Sequence, residues 1–205
     1  MSVGAFGGVM ADYLVSRFGR SNFALYASCG SSPESWMRSE SDYLTHCGFR
    51  VQTPTRTEII DYEKGHRPPL VRTPKIENLL AFHRPNLVIV QLGTNWMDSL
   101  MHGDSPDKLA GIIDRFVASI RSHSDVRQII WITPPDSSHF SPRVQRTVEA
   151  LIRDASHRDR FDTVISSAMT HYTPGRSGGD GIHYNSEPAE AWARLAWRDL
   201  SRKLR

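Results

Sequence analysis

A chain of 205 residues has room for one domain, spanning 1–205, built around a single core. Its 39% hydrophobic and 23% charged residues are ordinary for a globular protein, and a formal charge of +3 without any run of like charges argues against a nucleic-acid or membrane-surface binder. No apolar run approaches the roughly 18 residues of a membrane-spanning helix. The first residues also lack the charged and apolar regions of a secretory signal, so the chain as it stands reads as cytoplasmic, or as periplasmic or secreted if a signal precedes it.

The opening stretch, MSVGAFGGVMADYL, is a glycine-rich turn running into a helix, with Val9, Met10, Tyr13, Leu14 and Phe18 on one stripe. Such a turn normally sits behind a strand. Ala24–Ala27 is a short strand candidate, followed by the loop Ser28-Cys29-Gly30-Ser31-Ser32-Pro33. Cys29 and Cys47 leave two readings open, a single bridge or two buried thiols. Residues 48–72 show no clear period and are expected to form a long loop with little regular structure.

Thr73-Pro74 predicts a helix cap with proline in the first turn, leading into Ile76, Leu79, Leu80 and Phe82. A stronger strand follows at Leu87–Leu92 and ends in Gly93-Thr94-Asn95. The Gly103-Asp104-Ser105 triplet, followed by Pro106-Asp107, reads as another helix cap, ahead of Leu109, Ile112, Ile113, Phe116 and Ile120. Gln128–Thr133 is a strand halted by Pro134-Pro135, and Ser141-Pro142 caps a helix carrying Val144, Val148, Leu151 and Ile152. Thr163–Ser166 is the last strand candidate. A flexible segment at 175–179 leads to Asp180-Gly181-Ile182-His183-Tyr184 and a final helix over 187–203. Near-continuous apolar strands alternating with helices predict an α/β fold with a parallel sheet covered on both faces.

In such sheets, chemistry gathers in the loops beyond the carboxyl ends of the strands. Three of these loops present Gly30, Asn95 and the pair Asp180/His183. A tetrahedral oxyanion needs fixed donors, which the Gly30 N–H and the Asn95 side-chain amide can supply. A hydroxyl nucleophile needs an imidazole base held in one tautomer by a carboxylate, and Asp180 and His183, three residues apart in a turn, can provide that. Trp36 and Trp96 follow two of these loops and read either as walls of a substrate pocket or as core packing. His139, after Pro134-Pro135, reads as a surface-loop residue.

These blocks resemble those of the SGNH (GDSL-type) hydrolase superfamily of esterases and lipases. The family pattern has a Ser in a Gly-Asp-Ser turn, then a Gly, an Asn in Gly-x-Asn and a late Asp-x-x-His. Gly30 matches the second block, Gly93-Thr94-Asn95 the third and Asp180-Gly181-Ile182-His183 the fourth. The resemblance implies a flavodoxin-like three-layer α/β/α fold with a central first strand. It implies catalytic roles for Asp180 and His183, an oxyanion hole at Gly30 and Asn95, and neither metal nor cofactor. The implied partner is a small-molecule or carbohydrate ester, such as an O-acetylated carbohydrate or peptidoglycan, and neither nucleic acid nor membrane.

The first block departs from the pattern. Ser2-Val3-Gly4 overlays the last three positions of Gly-Asp-Ser-x-Ser-x-Gly, so the expected serine and the central first strand fall before residue 1. Ser2 stands as a substitute nucleophile two residues beyond the reactive position. The alternative to an N-terminally incomplete esterase is a non-catalytic protein that uses the same pocket to bind a glycan or another ligand.

Overall fold

The computed structural model, which describes residues 3–40, 42–61 and 66–205, runs α1 (Ala5–Phe18), β1 (Leu25–Ser28), β2 (Leu44–Thr45), β3 (Gly48–Gln52), β4 (Thr57–Asp61), β5 (Val71–Arg72), α2 (Ile76–His83), β6 (Leu87–Gln91), α3 (Thr94–Met101), α4 (Pro106–Arg121), β7 (Gln128–Ile132), α5 (Pro142–Asp159), β8 (Asp162–Val164) and α6 (Ser186–Ser201). The three apolar runs expected to be buried strands pair with one another: β6, β7 and β8 form a parallel sheet in that order. Alternation along β7 splits its side chains between two cores. Ile129 and Trp131 face a cluster built with α2, α4 and α5, while Ile130 and Ile132 face a second built with α1 and α6. Helices thus cover both faces of the sheet.

The helices form where local chemistry starts them. Ser105 and Ser141 accept hydrogen bonds from the Lys108 and Val144 N–H groups, and each precedes a proline in the first turn. Ser105 is therefore a cap, not a nucleophile. The expected cap at Thr73-Pro74 is not formed. Thr73 is buried with its hydroxyl against that of Ser28 (2.6 Å), and α2 begins after Lys75 without a side-chain cap. On the other side of the sheet, α1 packs on α6 through stacked rings, Phe6 on Trp192 and Tyr13 on Trp197.

Residues 48–72 correct the expectation of an irregular loop. β3 and β4 form an antiparallel hairpin whose turn is closed between Thr53 and Arg56, and β3 pairs antiparallel with β1. The short strands β2 and β5 pair beside it. The burial pattern of β3 hid it from a period-2 reading. Arg50 is buried because its Nε donates to the Val3 carbonyl (2.7 Å), at the entrance to α1.

The two main sheets do not join. Among the described residues, β1 pairs only with β3 and β6 only with β7. Their other edges line a cavity of about 970 Å³. The apolar side chains Leu87, Val88 and Ile89 of β6 are only half-buried, whereas Ile129–Ile132 of β7 are buried.

Candidate active site

The turn carrying Asp180 and His183 is fixed from several directions. The Gly181 carbonyl accepts the Ser137 hydroxyl (2.6 Å) and the N–H groups of Ser138 and His139. The Gly181 N–H donates to the buried Tyr172 hydroxyl (3.0 Å), which itself donates to the His183 carbonyl (3.2 Å). A Cβ at Gly178 would collide with the His183 carbonyl and the Tyr172 hydroxyl, so only glycine lets these segments approach so closely.

Within the turn, Asp180 Oδ2 lies 2.5 Å from His183 Nδ1. Its Oδ1 accepts the backbone N–H groups of Ile182 (2.8 Å) and His183 (2.7 Å). Burial works against ionisation of this carboxyl, but the hydrogen bonds from the His183 ring and the two backbone N–H groups outweigh it and hold the group at about 2. A charged carboxylate on Nδ1 favours the tautomer with the ring proton there. It leaves Nε2 as the basic nitrogen of a residue that lines the cavity.

Gly30 and Asn95 come to the same cavity from the carboxyl ends of β1 and β6. Gly30 has φ +75°, and an added Cβ would meet the Tyr43 hydroxyl. No hydrogen bond among the described residues uses its N–H. The preceding residue is tied down: Cys29 is disulfide-bonded to Cys47, its N–H donates to the Gly48 carbonyl, and its carbonyl accepts the hydroxyls of Thr45 (2.8 Å) and Tyr43 (3.1 Å). The disulfide decides between the two readings of the cysteine pair.

Asn95 donates one amide hydrogen to the Ser31 carbonyl (2.9 Å), which holds its loop against that of Gly30 and leaves its second amide hydrogen for a ligand. The nearby hydroxyls have structural partners. Ser28 bonds Thr73, and Ser31 donates to the Ser28 carbonyl while accepting from Trp36 Nε1.

The two tryptophans part company. Trp36 lines the cavity. Trp96 does not: its ring is fully buried beside Trp131, and its Nε1 donates to Glu34 (3.2 Å). Its place is in the core, not in a pocket wall, because a buried indole N–H needs a fixed acceptor and Glu34 provides it. His139 is exposed at the surface, as its loop position suggested. Ser2 lies outside the described residues. Sequence reasoning missed the supports of the turn, Ser137, more than 40 residues away along the chain, and Tyr172, which belong to no local motif.

Neither a family model nor a curated protein matches this chain. Solved structures do. A peptidoglycan O-acetylesterase is similar with a TM-score of 0.52 and 15% identity over 76% of this chain and 58% of its own. A carbohydrate acetylesterase family member from Sinorhizobium meliloti gives 0.51 and 20% identity over 62% of this chain and 66% of its own. TesA gives 0.50 and 18% identity over 62% of this chain and 68% of its own. The layered arrangement, with a parallel sheet between helices and the candidate residues beyond its carboxyl edge, is the fold of these solved structures.

Proposed function

We propose that this chain carries most of the catalytic apparatus of a serine-type acyl hydrolase acting on an ester such as an O-acetylated carbohydrate. The observation that carries this reading is the 2.5 Å Asp180–His183 pair, held in a braced turn on the same cavity as Gly30 and Asn95. A serine hydroxyl from a segment outside the described residues attacks the ester carbonyl carbon, and His183 Nε2 takes its proton. The Gly30 N–H and the free amide hydrogen of Asn95 stabilise the oxyanion. As the intermediate collapses, the carbon–alkoxide bond breaks and His183 returns the proton to the leaving oxygen. Water then repeats the sequence on the acyl-serine, releasing the acid. The acetylesterases with similar structures support a short acyl group and a carbohydrate alcohol by analogy of fold.

The test is hydrolysis of p-nitrophenyl acetate and of an O-acetylated carbohydrate by the chain extended at its N-terminus with an apolar strand and Gly-Asp-Ser. Turnover that requires both the added serine and His183 is expected. A folded, extended protein without serine-dependent hydrolysis overturns the reading. Hydrolysis by residues 1–205 alone that disappears in Ser2→Ala would assign the attack to Ser2 instead.

A second reading, a non-catalytic protein that holds a glycan in this cavity, is favoured by one observation: among the described residues, no hydroxyl is hydrogen-bonded to His183 Nε2. It expects saturable binding of an O-acetylated oligosaccharide without turnover, measurable by calorimetry.

A further inference from the structure

The small sheet of β2 and β5 puts two hydroxyls behind the Gly30 loop. Tyr43 and Thr45 are two positions apart, so they leave the extended chain on one side of it, with the exposed Leu44 on the other. The segment is held by the pairing of β2 with β5 and by the Thr73 N–H, which donates to the Tyr43 carbonyl (2.9 Å). Both hydroxyls reach one atom. The carbonyl oxygen of Cys29 lies 2.8 Å from Thr45 Oγ1 and 3.1 Å from the Tyr43 hydroxyl, and its two lone pairs are thereby used. Thr45 is buried, and its hydroxyl also stands 3.1 Å from the Gly48 carbonyl, so its one hydrogen is shared between two acceptors. Burial raises the Tyr43 hydroxyl above its ordinary value, so it keeps its hydrogen and donates throughout the neutral range.

That carbonyl belongs to the peptide unit whose N–H is the Gly30 donor. Residues 28–31 form a turn closed by the Ser31 N–H on the Ser28 carbonyl (3.3 Å). Gly30, at its third position, has φ +75°, while Cys29, at its second, has no positive φ, which makes the turn type II. Types I and II differ by a half-turn of the central peptide, here Cys29–Gly30. Such a flip exchanges the directions of the Cys29 carbonyl and the Gly30 N–H, which point oppositely across a trans peptide. Glycine permits both forms, so the turn's own sequence leaves the choice open. In the form present, the carbonyl points to Tyr43 and Thr45, neither of which lines the cavity, and the N–H of the cavity-lining Gly30 points away from them. We propose that Tyr43 and Thr45 are positioning residues that hold this peptide unflipped and so aim the Gly30 N–H into the cavity. The two accepted hydrogen bonds also polarise the peptide and strengthen its N–H as a donor. The second donor hangs on the same turn, because Asn95 is held by the Ser31 carbonyl (2.9 Å). That the Gly30 N–H receives an oxyanion rests on the function proposed above; the hold on the peptide does not.

The orientation is read by NMR, in residues 1–205 and in the N-terminally extended chain. In a type II turn the Cys29 Hα stands close to the Gly30 amide hydrogen, and the amide hydrogens of Cys29 and Gly30 stand apart; in type I these proximities reverse. The unaltered protein is expected to show the strong Cys29 Hα–Gly30 N–H cross-peak. In the double variant Tyr43→Phe with Thr45→Val, which keeps the shape of both side chains, that cross-peak should weaken and an amide–amide cross-peak appear. Thr45→Ser, which keeps a hydroxyl, should match the unaltered protein. In the extended chain the double variant should lose about 100-fold in kcat on p-nitrophenyl acetate with little change in KM, since one oxyanion donor is misdirected. Thr45→Ser should restore this loss. Should the double variant fail to fold, Tyr43→Phe alone is read, and a partial shift of the same two cross-peaks is the supporting result. The proposal fails if the variants leave the type II cross-peak unchanged, or if Thr45→Ser shifts it as the double variant does. A flipped peptide with unchanged serine-dependent hydrolysis supports the hold on the peptide and removes Gly30 from the oxyanion hole. A flipped peptide in an extended chain that never hydrolyses the ester supports the hold and overturns the function.

Discussion

Around the Asp180–His183 turn nearly every polar group is spoken for: the Gly181 carbonyl by Ser137, Ser138 and His139, the Gly181 N–H by Tyr172, both Asp180 oxygens by the turn itself. Along the cleft between β1 and β6, by contrast, the facing strand edges and the apolar side chains lining the cavity have no strand between them among the described residues. The turn is defined by contacts within residues 136–183 and holds its geometry on that basis. The cleft is defined by what lies on either side of it. The Asp180–His183 turn is braced by its own neighbours, whereas among the described residues the sheets flanking the cleft do not pair across it.

The sharpest way to separate these regions is to disable the pair without touching the cleft. In the strand-extended chain, Asp180→Asn keeps an acceptor for the two backbone N–H groups but removes the charge that fixes the His183 tautomer. A loss in kcat of about 10⁴-fold is expected, as for the carboxylate of serine-protease triads. Thermal stability should fall only modestly: the charge that favours the folded form is lost, but the His183 and Asp180 side chains are 63% and 52% exposed. A loss below tenfold, measured on p-nitrophenyl acetate, would remove Asp180 from the mechanism.

The next effect falls on the β1 side. Cys47→Ala opens a link between residues 18 apart, which the chain-entropy argument values at about 3 kcal/mol. Denaturant unfolding should report this loss. Cys29 carries the Gly30 loop, so in the extended chain activity should also fall. Thr45 and Tyr43 still hold the Cys29 carbonyl, so the fall should be partial. Unchanged stability on substitution or reduction would show that the hydroxyl pair alone fixes the loop.

A third variant strains the turn from behind. In Gly178→Ala the new methyl meets the His183 carbonyl, so the turn must move. A displacement of about 1 Å at a catalytic group costs on the order of 100-fold in rate. The circular dichroism spectrum should be retained, since Gly178 lies outside the helices and the main sheets. Full activity would mean that the turn relaxes without disturbing His183.

What could be read from the sequence divides along the same line. The caps at Ser105 and Ser141, the strands β6 and β7, and the Asp-x-x-His spacing were legible because each depends on residues a few positions apart. β3 and β4 were not. Arg50 interrupts the apolar run of one and finds its partner at Val3, far away in sequence. The adjacent Ile59 and Ile60 break the alternation of the other, although Pro54 between GFRVQ and TEIID was an available turn signal. Thr73 looked like a cap because its demand for Ser28 is a tertiary fact. Trp96 read either as a pocket wall or as core packing, and the core reading holds: the residue after Asn95 along a helix turns by about 100°, into the core.

The smallest effect is the most specific to the pair. The Asp180 carboxyl is held at about 2, against an ordinary aspartate value of roughly 3.9. Because the folded-state value is the lower one, ionisation of Asp180 favours the folded form at all pH values above roughly 4. That contribution fades as the pH falls through about 2. Followed by the NMR shift of its carboxyl carbon, Asp180 should titrate with a midpoint near 2 and remain charged throughout the range in which an esterase is assayed. In His183→Ala the ring hydrogen bond is lost while the backbone N–H groups of residues 182 and 183 remain, so the midpoint should rise part of the way toward the ordinary value. A wild-type midpoint near 4 would mean that the turn does not grip the carboxylate. The contrast between the braced Asp180–His183 turn and the cleft between β1 and β6 would then lose its stronger half.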